Sequence, residues 1–368
     1  MTATTEPSDP TTARRHAKPP TLQVPGPSRR ASLLRTLALI AAVAALIQLP
    51  QQYKPFMVGR FSQVIVYAIA MLGLSLLTGF TGQISVGHGA FYGAGAYTTA
   101  ILAADHGWPL LATIPAAAAV CFVLGVIAGL PALRIQGFYL ALTTLALAAI
   151  FPTIIQHYSS VTGGTQGKRV PALKSPIDGL ANDQYQYYVA LAVALLCYLA
   201  VRNLVRSRVG RGLIAVRDNE TAATVVGVNV AAYKLAAFGI SALLAGVAGS
   251  LSTLAVSNYV DSGSYKTALS ITLLVGLVVG GASSLAGPVL GAIFVEWAPD
   301  WLGDGLGFEA ALTPVAYGVL LVALMLLAPG GLTGLGRRLH DLWARRRSPG
   351  TGPQGKAAPA AGGGPLDR

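Results

Sequence analysis

The sequence predicts an all-α protein, a polytopic integral membrane helical bundle of about ten elements, some of them broken or re-entrant. Hydrophobic residues make up 53% of the 368 and charged residues only 11%, where an ordinary soluble domain carries about 25% charged residues. Apolar runs of about 20 residues recur, the length that crosses a hydrocarbon core of about 30 Å. The runs are apolar on all sides, whereas the helices of a large soluble core each keep a polar stripe.

Taken in order, the runs cover residues 33–49, 61–79, 87–104, 110–130, 138–156, 187–201, 235–256, 267–297 and 311–328. The run at 267–297 is too long for one ordinary crossing, and GGASSLAGP at 280–288 interrupts it. Glycine and proline loosen a helix, and irregular backbone at membrane depth survives only inside protein or beside a water-filled cavity. Two shorter elements that meet at this break are expected. Residues 1–30, rich in Pro, Thr and Ser, and residues 341–368, rich in Gly, Pro and Ala, are expected as disordered tails around a membrane domain at 31–340. The first 30 residues lack an apolar core, so no cleavable signal peptide is expected.

The formal net charge is +12, but its placement argues against nucleic acid as a partner. Positive residues gather before residue 36, between Arg202 and Lys234, and from Arg337 onward. Such clusters beside spans mark the cytoplasmic side. With an even number of elements and both termini inside, 20 of the 26 Lys and Arg fall on that side. The long external loop at 158–186 holds Lys168, Arg169 and Lys174, nearly balanced by Asp178 and Asp183. Cys121 and Cys197 each sit within an apolar run and read as small packing residues.

Acid is scarce inside the runs. Nearly all Asp and Glu fall in loops or at span ends, and only Glu296 approaches a run's interior. A charge at the bilayer centre costs about 2.5–3.5 kcal/mol, so ion-coupled carriers keep such acids for a task. The energy source is therefore expected on another chain. Glu296 reads as a snorkelling end residue, with a proton relay as the alternative. No second ligand stands at helical spacing from His88, and no His/Asp/Glu cluster offers a metal site or an enzyme active site.

Three stretches offer polar groups. At 78–102, Gly79 and Gly82 are expected to break the helix, as in transporters whose sites use discontinuous helices, while Gly89 and Gly93 allow close helix approach. Gln83, Ser85, His88 and Tyr92 lie here, either lining a path or satisfied within tight packing. At 133–150, Tyr139, Thr143 and Thr144 are expected on one helical side. Their hydroxyls either face a polar solute or bond their own helix backbone.

The third stretch is the basic loop at 203–233. Asp218 or Asn219 is placed to cap a short helix with acid at its positive end, Ala222 and Ala223 give it a smooth knob, and Gly227 stops it. Such a helix suits insertion into a partner's groove, and an ordinary solvated loop helix has the same signature.

LLTGFTGQISVGHGAFYGAGAYTTAIL, LRIQGFYLALTTLAL, VRDNETAATVVGVNVAAYKLAAFGISALLAGVAGSL and VGGASSLAGPVLGA resemble, in that order, the permease subunits of branched-chain amino acid ABC transporters. The order and spacing, with the closing PGGLTGLGRRL, are similar to the LivM-type permease, and the resemblance covers most of the chain from about residue 61 to residue 339. It implies that Glu220, Ala222, Ala223 and Gly227 belong to the loop that docks on the ATPase, with Arg217 in support. It implies a bacterial cell membrane, a second related permease, two cytoplasmic ATPases that hold ATP and magnesium, an external solute-binding protein, and a small apolar amino acid passing between the permeases. The chain is then a transport subunit with no cofactor of its own and not an enzyme, in keeping with its lack of a G-x-x-x-x-G-K-[ST] run. Gln83, Ser85, His88, Tyr92, Tyr139 and Thr143 are the candidate path residues. A bulky charge at Ala223 is expected to abolish uptake and leave the protein inserted. Importers of urea or short-chain amides share this architecture. An ion-coupled carrier and a passive channel are rival readings of the residues.

Overall fold

The computed structural model describes residues 46–135, 137–305, 312–327 and 330–335. The chain divides into two units, Met1–Leu49 and Pro50–Arg368. Residues 46–49 of the first are described, and they are helical. Both expected tails and most of the run at 33–49 lie outside the described residues.

The described residues of the second unit are mostly helical. Its first helix, α1 (Pro55–Leu74), starts with proline in its opening turn, where a missing N–H costs nothing, and runs on as a π-helix over Ser75–Phe80. α2 (His88–Ala104), α3 (Thr113–Ala132), α4 (Phe138–His157) and α5 (Asn182–Arg206) follow. Two short helices, α6 (Arg208–Asp218) and α7 (Glu220–Val225), fill the basic loop. α8 (Val230–Ser252) re-enters the bundle, followed by α9 (Thr267–Gly280), α10 (Gly287–Asp300) and α11 (Thr313–Leu327).

Five segments among the described residues are long and apolar enough to cross a membrane: Pro55–Phe80, Leu110–Ala132, Phe138–His157, Asn182–Arg206 and Val230–Ser257. α9 and α10 have 14 residues each, a length of about 21 Å at 1.5 Å per residue. The break expected within 267–297 is present. α9 ends against Gly281 (φ 111°), and α10 restarts at Gly287.

Burial is uneven. The apolar windows of Pro55–Phe80 and Val230–Ser257 are 72% and 78% buried, whereas those carrying α3, α4 and α5 are 17–22% buried. α8 is the centre, packed on α1, α2 and α3. It meets α2 backbone to backbone: a Cβ on Gly249 would stand 1.8 Å from the Tyr92 carbonyl oxygen. Small residues allow this approach. Cys121 and Cys197 are free, buried thiols.

At the Arg60 end of α1, polar groups close on one another. Arg60 pairs with Glu296 at 3.0 Å and with Asp300, and also donates to the Glu296 carbonyl. Glu296, expected as a snorkelling end residue, is ion-paired. In the loop at 158–186, Lys168–Arg169 form a strand, β1, paired antiparallel with β2 (Tyr259–Val260), and Lys168 also pairs with Asp105.

Candidate functional site

The loop between α5 and α8 is made of short helices, each begun by a side-chain cap. Ser207 Oγ accepts the Val209 N–H (3.1 Å), Asn219 Oδ1 that of Ala222 (2.9 Å), and Asn229 Oδ1 that of Ala232 (3.1 Å). These bonds satisfy donors that a helix start leaves open. Of the two capping candidates Asn219 caps α7, while Asp218 accepts from the Arg217 guanidinium. α7 closes with Gly227 N–H donating to the Thr224 carbonyl and Val228 N–H to that of Ala223, both at 3.0 Å. This Schellman pattern uses a left-handed residue. Gly227 stands at φ 85° with open space where a Cβ would go, so backbone conformation rather than packing explains the glycine.

The two alanines of α7 part company. Ala222 is exposed, while Ala223 is 3% exposed and seats the helix on the bundle. The smooth knob expected from both therefore has Ala222 in it but not Ala223, and a bulky charge at Ala223 would unseat α7 itself. Val225 (83% exposed) and Val226 complete the outward face. Sequence reasoning missed these two, although the adjacent Val225 and Val226 at the end of the capped helix were the available signal.

Two contacts latch the loop to the bundle. Lys234 Nζ, buried, meets Glu220 Oε1 at 2.6 Å. Arg217 Nη1 donates to the Gly79 carbonyl at 3.0 Å. Gly79 lies in the π-helix after α1, and a Cβ there would come 1.9 Å from the Ala282 carbonyl oxygen. The same oxygen accepts from Ser75 Oγ at 2.9 Å. The loop thus touches the first helix break, and the first break touches the second, at Gly281–Ala282.

Beyond Gly82 (φ 76°) the chain is irregular until α2. Ser241 Oγ gives its proton to the Gly73 carbonyl (2.5 Å), so it accepts from His88 Nε2–H at 2.6 Å. His88 Nδ1 stands 3.3 Å from Ser85 Oγ, so both ring nitrogens have hydroxyl partners. Tyr92 is buried against the Tyr265 ring, 6.0 Å between centroids.

Gln83 differs. It is 6% exposed, and neither its amide oxygen nor its nitrogen has a hydrogen-bond partner. An unpaired buried polar group costs about 1–3 kcal/mol. Gln83 lines a cavity of about 390 Å³ between the break and the loop, together with Arg217, Asp218, Glu220 and Lys234.

Tyr139 (73% exposed) and Thr143 face outward on α4, and the Thr143 hydroxyl donates to the Tyr139 carbonyl at 2.9 Å. Thr144 does not share their side. It is buried and accepts the Val86 N–H at 2.9 Å, because residues five apart on a helix differ by about 140°. The structure thus gathers Gln83, Ser85 and His88 at one break and sets Tyr139 and Thr143 on a bare outer face.

The family described as branched-chain amino acid transport system / permease component matches residues 56–329, a range that holds the loop and both breaks. This chain belongs to that family. The permease is 30% identical to the high-affinity branched-chain amino acid transport system permease protein LivM of Escherichia coli (strain K12), across 77% of this chain and 72% of that one. The LivM protein of Salmonella typhimurium LT2 is also 30% identical, over the same shares. LivH of Escherichia coli (strain K12) is 26% identical over 77% of this chain and 97% of its own. Two permease proteins that carry the name of one transport system in one strain thus both resemble this permease. The family resemblance read from four sequence stretches stands, and with it the multi-pass helical membrane fold.

Proposed function

We propose that this chain is the LivM-type permease subunit of an ABC importer for branched-chain or related apolar amino acids. The observation that carries the reading is the latched α6–α7 loop of a permease-family chain: a capped six-residue helix with an apolar outward face, tied through Arg217 to a helix break. In this reading the loop faces the cytoplasm and docks on an ATPase through Arg217, Glu220, Ala222 and Gly227, with Ala223 as its inner seat. Both termini lie inside, and the tails at 1–30 and 341–368 flank a permease domain at 31–340. The five long helices, α2, α9, α10, α11 and the run at 33–49 make up the ten membrane elements.

A second related permease, two ATPases that hold ATP and magnesium, and an external solute-binding protein complete the machine, and the chain itself catalyses nothing. Gln83, Ser85, His88 and Tyr92 form the wall of the path near the breaks, and Tyr139 and Thr143 look toward the second permease. ATP drives the cycle by its different affinity for the outward- and inward-open states.

The test is to purify the chain from native membranes in mild detergent, identify its companions, and measure ATP hydrolysis with binding protein loaded in turn with leucine, valine, urea and acetamide. Stimulation by the leucine- or valine-loaded protein is expected. Stimulation by urea or acetamide alone would change the substrate, and solute accumulation by the isolated chain in vesicles would overturn the reading.

A further inference from the structure

We propose that Lys234 is a positioning residue: it joins the docking helix α7 to the central helix α8 as one body, so that a pull on α7 reaches both flanks of the first helix break through Ser241. This role rests on the importer reading above and deepens it.

Lys234 is 4% exposed, and among the described residues no other lysine or arginine is buried. A buried ammonium is strongly disfavoured unless it is paired. Its carboxylate comes from Glu220, with Nζ and Oε1 2.6 Å apart. Glu220 is the first residue of α7, where the positive end of a helix favours an acid. The pair is unequal, because the Glu220 side chain is 40% exposed and that of Lys234 is 5% exposed. Parting α7 from α8 therefore leaves a solvated carboxylate on one side and a stranded ammonium on the other. Only residues 226–229 separate the two helices, so the ion pair closes a short loop that the chain already holds together.

α8 extends this tie into the bundle. Lys234 and Ser241 are seven residues apart, two turns of one face and about 10 Å along the axis. Ser241 Oγ donates to the Gly73 carbonyl of α1 and meets His88 Nε2 of α2 at 2.6 Å. Gly73 lies just before the π-helix, and His88 opens α2, so Ser241 holds both flanks of the irregular stretch. A Cβ on Gly73 would stand 2.6 Å from the Ser241 carbonyl oxygen, which leaves α1 no slack against α8. Arg217 thus reaches the break from within, at Gly79, and Lys234 reaches its two ends.

The test reconstitutes the importer in vesicles with its binding protein and reads leucine uptake and ATP hydrolysis together. In Lys234→Met the complex is expected to assemble and hydrolyse ATP, because the remaining Glu220 carboxylate is solvated. Solute moved per ATP is expected to fall about fivefold, the size of a coupling between contacting residues. Glu220→Ala is expected to lower both that ratio and thermal stability, since it strands the ammonium. The double variant Lys234→Met/Glu220→Ala is expected to have a ratio no lower than the worse single variant, and losses that multiply overturn the proposal. Lys234→Arg keeps the charge and is expected to retain more of the ratio than Lys234→Met; the reverse order overturns it, as does an unchanged ratio in Lys234→Met. The unaltered importer gives a second measurement, acylation of lysines by a water-soluble reagent read by mass spectrometry. Lys234 is expected to stay protected during turnover as at rest, while the exposed Lys174 reacts. Labelling of Lys234 at the rate of Lys174 during turnover means that α7 leaves α8 and overturns the proposal. Absence of ATP-driven leucine uptake by the unaltered complex defeats the importer reading, whereas full coupling in Lys234→Met beside normal uptake defeats the role of Lys234 alone.

Discussion

Two side chains of the irregular stretch between α1 and α2, His88 at its α2 end and Gln83 on its loop side, treat their polar groups in opposite ways. On the α2 side, Val86 N–H donates to Thr144, Gly89 N–H to Ser270, and His88 bridges Ser85 and Ser241. On the loop side, Gln83 is also buried and its amide is unpartnered. The paired groups pin one helix to its neighbours and behave as structure. The Gln83 amide lies where the loop is latched, and there the fold leaves a buried polar group unpaired. Burial alone does not separate the two, but hydrogen-bond accounting does.

Substitutions can break or sharpen this contrast. The largest stability loss is expected at the joint of the two breaks. Gly79→Val would drive a side chain into the Ala282 carbonyl, and overpacking against backbone is expected to cost about 3 kcal/mol or more. Thermal unfolding of the purified permease in detergent measures this, and an unshifted transition would mean that the breaks are not in contact. His88→Leu comes next, at about 1–3 kcal/mol, because it strips Ser85 and Ser241 of a buried partner. A transition equal to that of the unaltered protein would remove the ring from the paired groups.

Gly227→Ala is expected to cost about 1 kcal/mol, since alanine tolerates φ 85° poorly although space is open. Replacement by Asn, which accepts the left-handed region, is expected to recover part of that loss, and equal losses for Ala and Asn would contradict the capping account. Gln83→Leu is the smallest in stability, within about 1 kcal/mol of the unaltered protein, because removing an amide that has no partner forfeits no bond. A loss as large as that of His88→Leu would erase the contrast.

Much of this was legible in the sequence, and the misses share a cause. Local rules found the helices from apolar runs, the break at 280–288 from its glycines and proline, and the boundaries of α7 from Asn219 and Gly227. Relations between distant positions were not legible. Arg60 and Glu296 pair across 236 positions, and His88 and Ser241 across 153, and no periodicity encodes either. The inward turn of Ala223 was also hidden, since a helix of six residues is too short for hydropathy to say which side meets the bundle. Thr144 was misplaced for a simpler reason: a spacing of five does not share a helical face as a spacing of four does. The π-helix over Ser75–Phe80 was foreseen only as a break at Gly79, because nothing in composition separates a widened turn from an interrupted one.

The central claim is that force from ATP enters this permease through the Arg217–Gly79 contact. Arg217→Ala tests it directly when ATP hydrolysis and solute uptake are measured on the same vesicle-reconstituted importer. A hydrogen bond from a charged donor contributes about 1.5–3 kcal/mol, so solute moved per ATP is expected to fall roughly tenfold or more while hydrolysis continues. An unchanged ratio of uptake to hydrolysis would contradict the account.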